Sequence, residues 1–460
     1  MVDMVDDSMV TQEEPSRDAA AAELSDSVEA ALEFARRQGA DAAEVNASAQ
    51  HGLSVNVRLG EIETLEHHRD KGLGVTVFLG QSKGHASCAD LRPDSVRDCV
   101  QRALDIARFT EKDTCNGLAD PDRLATHFPD LDLWHPYPLE VAAAIERALA
   151  CEAAGREDSR ITNSEGAAVS SHAGVSVYAN SHGFVGTTSG TRYDQSCVLV
   201  AGEGESMQRD YWYDSRRALG DLEHPEETGR RAGERTIRRL DARKVETCQA
   251  PVLFDAPVAR GLIGHLVSAI SGGSLYRNAS FLTDSAGQAL FPDWLDIAEL
   301  PFLPRAPGST AFDAEGVATR ERLLVDSGVL TGYVLSSYSA RRLGLETTGN
   351  AGGVHNLRLT GMALPTRELL RQVGNGLLVT EVMGQGVSIV TGDYSRGASG
   401  FWIENGEIAY PVEEITIAGN LRDMFSAIQA IGEDVDDRGN IETGSLLVGS
   451  MTIALSLIHI

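Results

Sequence analysis

The stretch DSVEAALEFARRQGA, residues 26–40, decides the reading of the fold together with the run of short strands after it. It has the apolar spacing of an amphipathic helix and ends at a glycine. Short strand-like runs come next: AAEVNASA, LSVNVRLG, EIETLEHH, LGVTVFLG and GHASCA. Glycine-containing turns separate several of them, which implies an antiparallel meander. PDSVRDCVQRALDIARFT then returns to helical spacing. The unit is helix, antiparallel strands, helix.

The unit recurs. PLEVAAAIERALACEAAG (138–155) reads as a helix. AAVSSHAG, VSVYANSHG, FVGTTSGTRYD and SCVLVAGEG read as strands, and EETGRRAGERTIRRLDA (226–242) as a closing helix. Segment 211–225 reads as a loop or strand edge. These copies, 25–120 and 135–245, predict an N-terminal region over 25–250 with an internal repeat. From Pro251 the texture changes. PVLFDAPVARGLIGHLVSAISGG reads as strand, turn and helix, and strand runs with glycine turns come after it. A helix over NLRDMFSAIQAIG and a final strand over GSLLVGSMTIA complete a β-rich domain, 251–460. The expected class is α+β.

The chain has 460 residues, 42% hydrophobic and 23% charged, which fits a multidomain globular protein. Its net charge of −27 repels phosphate backbones and argues against nucleic-acid binding. The acidity serves solubility or suits basic clients. Residues 1–24 read as a disordered acidic leader with no signal-peptide pattern. No run reads as a membrane span, and the last residues, 455–460, read as an extension not native to the fold. Six scattered cysteines form no CxxC pair, which predicts a reduced, cytoplasmic compartment. There is no P-loop, no GxSxG elbow, no supported dinucleotide fingerprint and no HExxH. His67 and His68, adjacent on a strand, point to opposite faces and do not form a metal pair.

The segments GHLVSAISGGSLYRNASFLTDSAGQALFP, GLLVTEVMGQGVSIVTGDYSRGASGFWIENGEI and YPVEEITIAGNLRDMFSAI resemble the TldD/PmbA family, and its PmbA (TldE) branch most. The resemblance spans roughly residues 25–454. It implies a heteromeric metallopeptidase in which a TldD-type chain carries HExxxH on a helix, plus a cysteine near its C-terminus, as ligands of zinc. Such a site needs two imidazoles, a third ligand and a carboxylate to deprotonate water. Two histidines five apart lie about 140° apart on a regular helix, so a widened turn is needed as well. The corresponding stretch here is HLVSAI. His265 takes the first ligand position, Leu266 that of the base and Ile270 that of the second ligand. No cysteine follows Cys248. The expectation is no metal in this chain, with zinc in a TldD-type partner. His265 is then a vestige or a structural histidine, or a contact for a peptide or partner.

The resemblance further implies small or unfolded peptides as substrates, including peptide-antibiotic leaders and an antitoxin. Other residues are candidates for the peptide groove or the interface. In TGDYSRGASG (391–400), Asp393, Tyr394 and Arg396 read either as a tight turn with an Asp–Arg pair or as a loop offering backbone for strand-like pairing. Tyr276 and Arg277 are of residue types enriched in interfaces. His355 sits in a glycine-rich loop, where a satisfied structural histidine is the plainer reading. Two other functions compete: an independent peptidase in which His265, His355 and Asp393 converge, and a non-enzymatic, chaperone-like peptide binder.

Overall fold

In the computed structural model, which describes residues 16–455, the chain is α+β, as its sequence implies. α1 (Arg17–Arg37) leads into β1 (Ala42–Arg58), β2 (Glu61–Leu79) and β3 (Ser82–Cys88), and then α2 (Pro93–Phe109). α3 (Val141–Gly155), β4 (Ile161–Asn180), β5 (Val185–Ala201), β6 (Gln208–Arg216) and α4 (Pro225–Ile237) come after them. Helix, three strands, helix therefore occurs twice. The strands hydrogen-bond in the order β3-β2-β1-β4-β5-β6, in which each set of three runs outward from its own first strand.

α1 begins inside the stretch expected to be a disordered leader. Ser16 caps it, its side chain accepting from the Ala19 amide at 3.3 Å. The alanine run has high helix propensity, and Leu24, Val28, Ala31 and Ala35 give a buried stripe. Capping and burial outweigh the local acidity. Residues 1–15 of the expected leader, and 456–460 of the expected extension, lie outside the described residues.

Two compact units are distinguished. Among the described residues, one holds 16–51, with Arg69–Asn116 and Gly174–Ser189; the other holds Gly52–His68, Gly117–Ala173 and 190–455. In the first, α1 and α2 pack together, burying Leu24, Val28, Cys99, Val100 and Ala103. In the second, α3 and α4 cross so closely that a Cβ on Gly229 would overlap the Cys151 carbonyl oxygen.

The rest of the second unit positions the site. β7 (Cys248–Phe254), α5 (Ala256–Ala269), α6 (Gly272–Tyr276), β8 (Asp296–Glu299), β9 (Arg322–Asp326), β10 (Val329–Leu330) and α7 (Ser337–Leu343) come first. β11 (Leu357–Thr360), β12 (Ala363–Leu364), α8 (Thr366–Val373), β13 (Gly376–Met383), β14 (Asp393–Glu404) and β15 (Glu407–Asn420) come next. α9 (Leu421–Ser426), β16 (Ile428–Gly432), β17 (Ile441–Glu442) and β18 (Leu446–Leu455) close it. The expected helix over NLRDMFSAIQAIG is only its first half; Ile428–Gly432 is a strand, paired with both β12 and β18.

β10-β9-β8-β11-β17 form one sheet and β12-β16-β18-β15-β14-β13-β7 another. β7 also pairs with β18, so β7, β18, β15, β14 and β13 close into a ring. Closure removes free strand edges. α5 lies on the core of this region, with Phe254, Ile263, Leu266, Ile270, Ile417 and Phe425 all inside it.

Candidate functional site

α5 begins after Asp255, and Pro257 stands in its first turn, where proline's missing N–H is not needed. Leu262, Ile263, Leu266 and Ala269 face the core. The opposite side carries Gly261, Gly264, His265 and Ser268, which are exposed or half-buried. Leu266 and Ile270 have no solvent exposure and belong to the main core. The two positions that would have to supply a base and a second imidazole are therefore apolar and turned inward. Among the described residues, no group of three His, Cys, Asp or Glu side chains is placed to hold a metal ion. Of the three positions only His265 offers a metal-ligating side chain.

His265 meets Tyr394 edge-on, with ring centroids 5.9 Å apart at 70°. Tyr394 comes from β14 and is buried. Burial pushes its phenol up to about 12, so it stays protonated. Burial also lowers the His265 pKa, and the charge of Arg396 lowers it further. The result is a neutral imidazole and a neutral phenol beside a fixed cation. Such a trio can give and accept hydrogen bonds but has no activated nucleophile.

Arg396 donates to the carbonyl oxygens of Met383 at 3.2 Å and Val382 at 3.4 Å. Asp393 instead accepts from the Thr391 hydroxyl at 2.7 Å and from Asn420 at 3.4 Å. The expected Asp–Arg pair does not form, because two residues three apart on a strand point to opposite faces. TGDYSRGASG is no turn either: from Asp393 onward it is β14, paired along its length with β15. The other side of its first residues is covered as well. The Ser395 amide donates to the Gly386 carbonyl at 2.6 Å, and the Ser388 amide to that of Asp393 at 2.9 Å. A Cβ on Gly386 would overlap the Ser395 carbonyl oxygen, so the close contact requires glycine. No backbone edge is left there for a peptide to extend.

Tyr276 and Arg277 lie elsewhere on this unit. Tyr276 ends α6 and packs edge-on against Tyr338 at 5.8 Å. Arg277 and Arg342 both stand over its ring, at 5.5 Å. His355 is buried, its Nε2 at 2.9 Å from the Gly349 carbonyl and its amide donating to Glu299 at 2.9 Å. His265, Tyr394 and Arg396 thus come together, while His355 and Asp393 each belong to a different set of partners. Sequence reading missed one feature of the same unit, a cavity of about 910 Å³ bordered by seven arginines, one of them Arg260 from α5.

Three models of the PmbA/TldA metallopeptidase match in chain order: domain 1 over residues 43–107, the central domain over 134–240 and the C-terminal domain over 247–455. The chain is 50% identical to the metalloprotease PmbA of Escherichia coli O157:H7, over 94% of this chain and 96% of that one. The chain belongs to this metallopeptidase family, in its PmbA (TldE) branch. A PmbA homologue from Haemophilus influenzae is 48% identical over the same shares. A crystal structure from Bacteroides thetaiotaomicron, described as a proposed modulator of DNA gyrase, superposes with TM-score 0.89 at 28% identity, covering 94% of this chain and 98% of that one. TldE from Thermococcus kodakarensis shares the fold, with TM-score 0.81 at 20% identity over 93% of this chain and all of that one. α5 and β14 both fall in the C-terminal domain of the family, whose relatives are described as metalloproteases. Among the described residues, no helix is long and apolar enough to cross a membrane.

Proposed function

We propose that this chain is the supporting subunit of a heteromeric cytoplasmic metallopeptidase, working with a TldD-type chain that holds the zinc. The observation that carries the reading is the packing of α5: Leu266 and Ile270 are fully buried where a base and a second ligand would stand. One imidazole cannot hold a catalytic zinc against water. The partner supplies the metal-bound water and its base. This chain supplies wall and contacts for small or unfolded peptides, such as peptide-antibiotic leaders or an antitoxin. His265 and the buried Tyr394 offer neutral hydrogen-bonding groups, and Arg396 a fixed positive charge, suited to peptide carbonyls or a carboxylate.

The test is a peptidase assay paired with metal analysis. The purified chain is assayed alone in zinc and then mixed with a TldD-type chain. Activity and bound zinc are expected in the mixture only. Cleavage and stoichiometric zinc in the isolated chain would overturn the reading. Peptide binding with no cleavage in the mixture would leave a chaperone-like binder in its place.

A further inference from the structure

The arginine-bordered cavity lies wholly within the second compact unit. Seven arginines border it against three carboxylates, Asp221, Asp437 and Glu442. The lining alone is thus opposite in sign to the net charge of −27, while Asp132, Asp194, Asp214 and Asp436 behind it pair with five of the seven arginines. The volume, about 910 Å³, is that of a ligand pocket.

The wall is preorganised. Arg438 stacks on Trp212 at 4.1 Å and on Tyr213 at 4.3 Å, and Asp436 grips it at 2.8 Å. Arg305 bridges Asp132 and Asp221, and Arg358 pairs with Glu442 at 2.6 Å. Arg217 differs. It has no carboxylate partner among the described residues and donates only to the carbonyl oxygens of Thr191 at 3.2 Å, Ala306 at 3.3 Å and Pro307 at 2.9 Å. Arg192 stands close enough to repel it, and burial together with that repulsion lowers the Arg217 pKa. Arg192 is itself mostly exposed, at 59%; among the described residues it pairs with the partly exposed Asp194 and donates to the Ser215 hydroxyl at 3.1 Å. Two neighbouring guanidinium groups, one of them half-buried without a counter-charge, make a place where an added carboxylate relieves repulsion. A guanidinium fork has five donors and matches a carboxylate with two parallel bonds, so donors remain even where an internal partner is present.

We propose that this arginine cleft binds carboxylate groups of an acidic segment of a peptide substrate. The proposal rests on the peptide-handling reading above and names a preference within it. A nucleic acid is the poorer fit. Its backbone charge runs on beyond the cleft over a strongly acidic surface, whereas a peptide can present carboxylates only where the arginines are. α5 ties the cleft to the candidate site. Arg260 precedes His265 by five residues, roughly 7.5 Å along the helix axis.

The purified full-length chain is titrated with fluorescein-labelled hexaglutamate by anisotropy, with hexalysine and a glycine–serine hexamer as controls. Hexaglutamate is expected to bind at least about tenfold tighter than either control, and to weaken with salt. Arg217→Gln is expected to weaken it about tenfold. Arg192→Gln, at an exposed position where folding is safe, is expected to weaken it by several-fold with the thermal melt unchanged. Equal affinity for hexaglutamate and the neutral hexamer would overturn the proposal. So would loss-free binding in both variants, displacement by inorganic phosphate at the peptide's own concentration, or tighter binding of a single-stranded oligonucleotide. The assay needs neither partner nor cleavage. A mixture with the TldD-type chain that cleaves nothing therefore sinks the proposed function alone, and active cleavage with no hexaglutamate binding sinks the cleft alone.

Discussion

His265 and His355 belong to one compact unit and face opposite surroundings. His355 sits in a network of hydrogen bonds and an ion pair. Glu299 accepts from Asn350 at 2.7 Å, from the His355 amide at 2.9 Å and from Arg322 at 2.7 Å. Arg322 also donates to the Tyr333 carbonyl and to Asn350, both at 3.0 Å. The ring of His355 donates from Nε2 to Gly349, which fixes its tautomer because a carbonyl only accepts. Around His265, by contrast, no hydrogen bond to the ring is formed among the described residues; it has an aromatic neighbour and a nearby cation. One histidine is consumed in holding loops together. The other is held in place by packing and left with both nitrogens available, as a group that meets a ligand must be.

The largest expected effect tests the satisfied side of that contrast. Glu299→Ala removes the buried acceptor at the centre of the network and leaves the largely buried Arg322 without its counter-charge. Breaking a buried pair this way costs about 3–5 kcal/mol. Urea unfolding of the variant should show that loss; a change under about 1 kcal/mol would mean that water replaces the carboxylate without strain. His355→Ala should come next at about 1–3 kcal/mol, from one lost ring bond and the unsatisfied Gly349 carbonyl.

Leu266→Ala probes the helix beneath His265. Leu266 has no exposed surface, so the variant should lose about 2–5 kcal/mol by urea unfolding. The paired change Leu266→Glu with Ile270→His rewrites the stretch as HExxxH. It turns a carboxyl and an imidazole into the core, so it should unfold the region and gain no zinc by metal analysis. A folded, zinc-binding variant would show that α5 can rotate, and that the inward packing does not forbid the metal. Tyr394→Phe sits at the other end of the scale. Its hydroxyl makes no hydrogen bond among the described residues, so stability should move by less than about 0.5 kcal/mol.

Much of the fold is legible in the sequence because its signals are local. The α-βββ-α repeat shows in helical spacing, period-two alternation and glycine turns, each within one element. The first part of β14 reads as a turn or a loop because it is rich in glycine, Gly397 and Gly400 among them. They are there for close approach: a Cβ on Gly400 would overlap the Leu378 carbonyl oxygen of the neighbouring strand, at a bulge. The start of α1 is hidden because acidic residues mask an alanine-rich helix start. The inward turn of positions 266 and 270 is readable, since leucine and isoleucine have no other good place. The partners of Asp393 and Arg396 are not, because adjacency along the chain suggests a pair that strand geometry separates. The arginine cleft is the least legible feature. Its arginines run from Arg192 to Arg438, and only folding brings them to one wall. A net charge of −27 points to solubility or to basic clients instead.

The smallest expected effect is the one that bears most on His265. Its pKa lies below the ordinary imidazole value because burial, and then Arg396, disfavour the charged ring. Well above about pH 6.5 the ring is neutral in both the folded and unfolded chains and has no influence on pH dependence. Below that, the unfolded chain takes up the proton first and the folded chain resists it. Stability is therefore lost as the pH falls toward the folded pKa. His265→Ala should match the parent near neutral pH and lose less on acidification, seen as urea midpoints that converge less steeply. Arg396→Gln should raise the His265 titration midpoint in an NMR titration, because it removes the repelling charge and leaves the burial. An unchanged midpoint would mean that burial alone sets the ring's state. A neutral His265 at working pH can accept a hydrogen bond from a peptide amide as well as donate one. In the proposed two-chain peptidase, where the reading above assigns the metal to the other chain, His265→Ala should therefore raise KM for peptide while leaving kcat nearly unchanged.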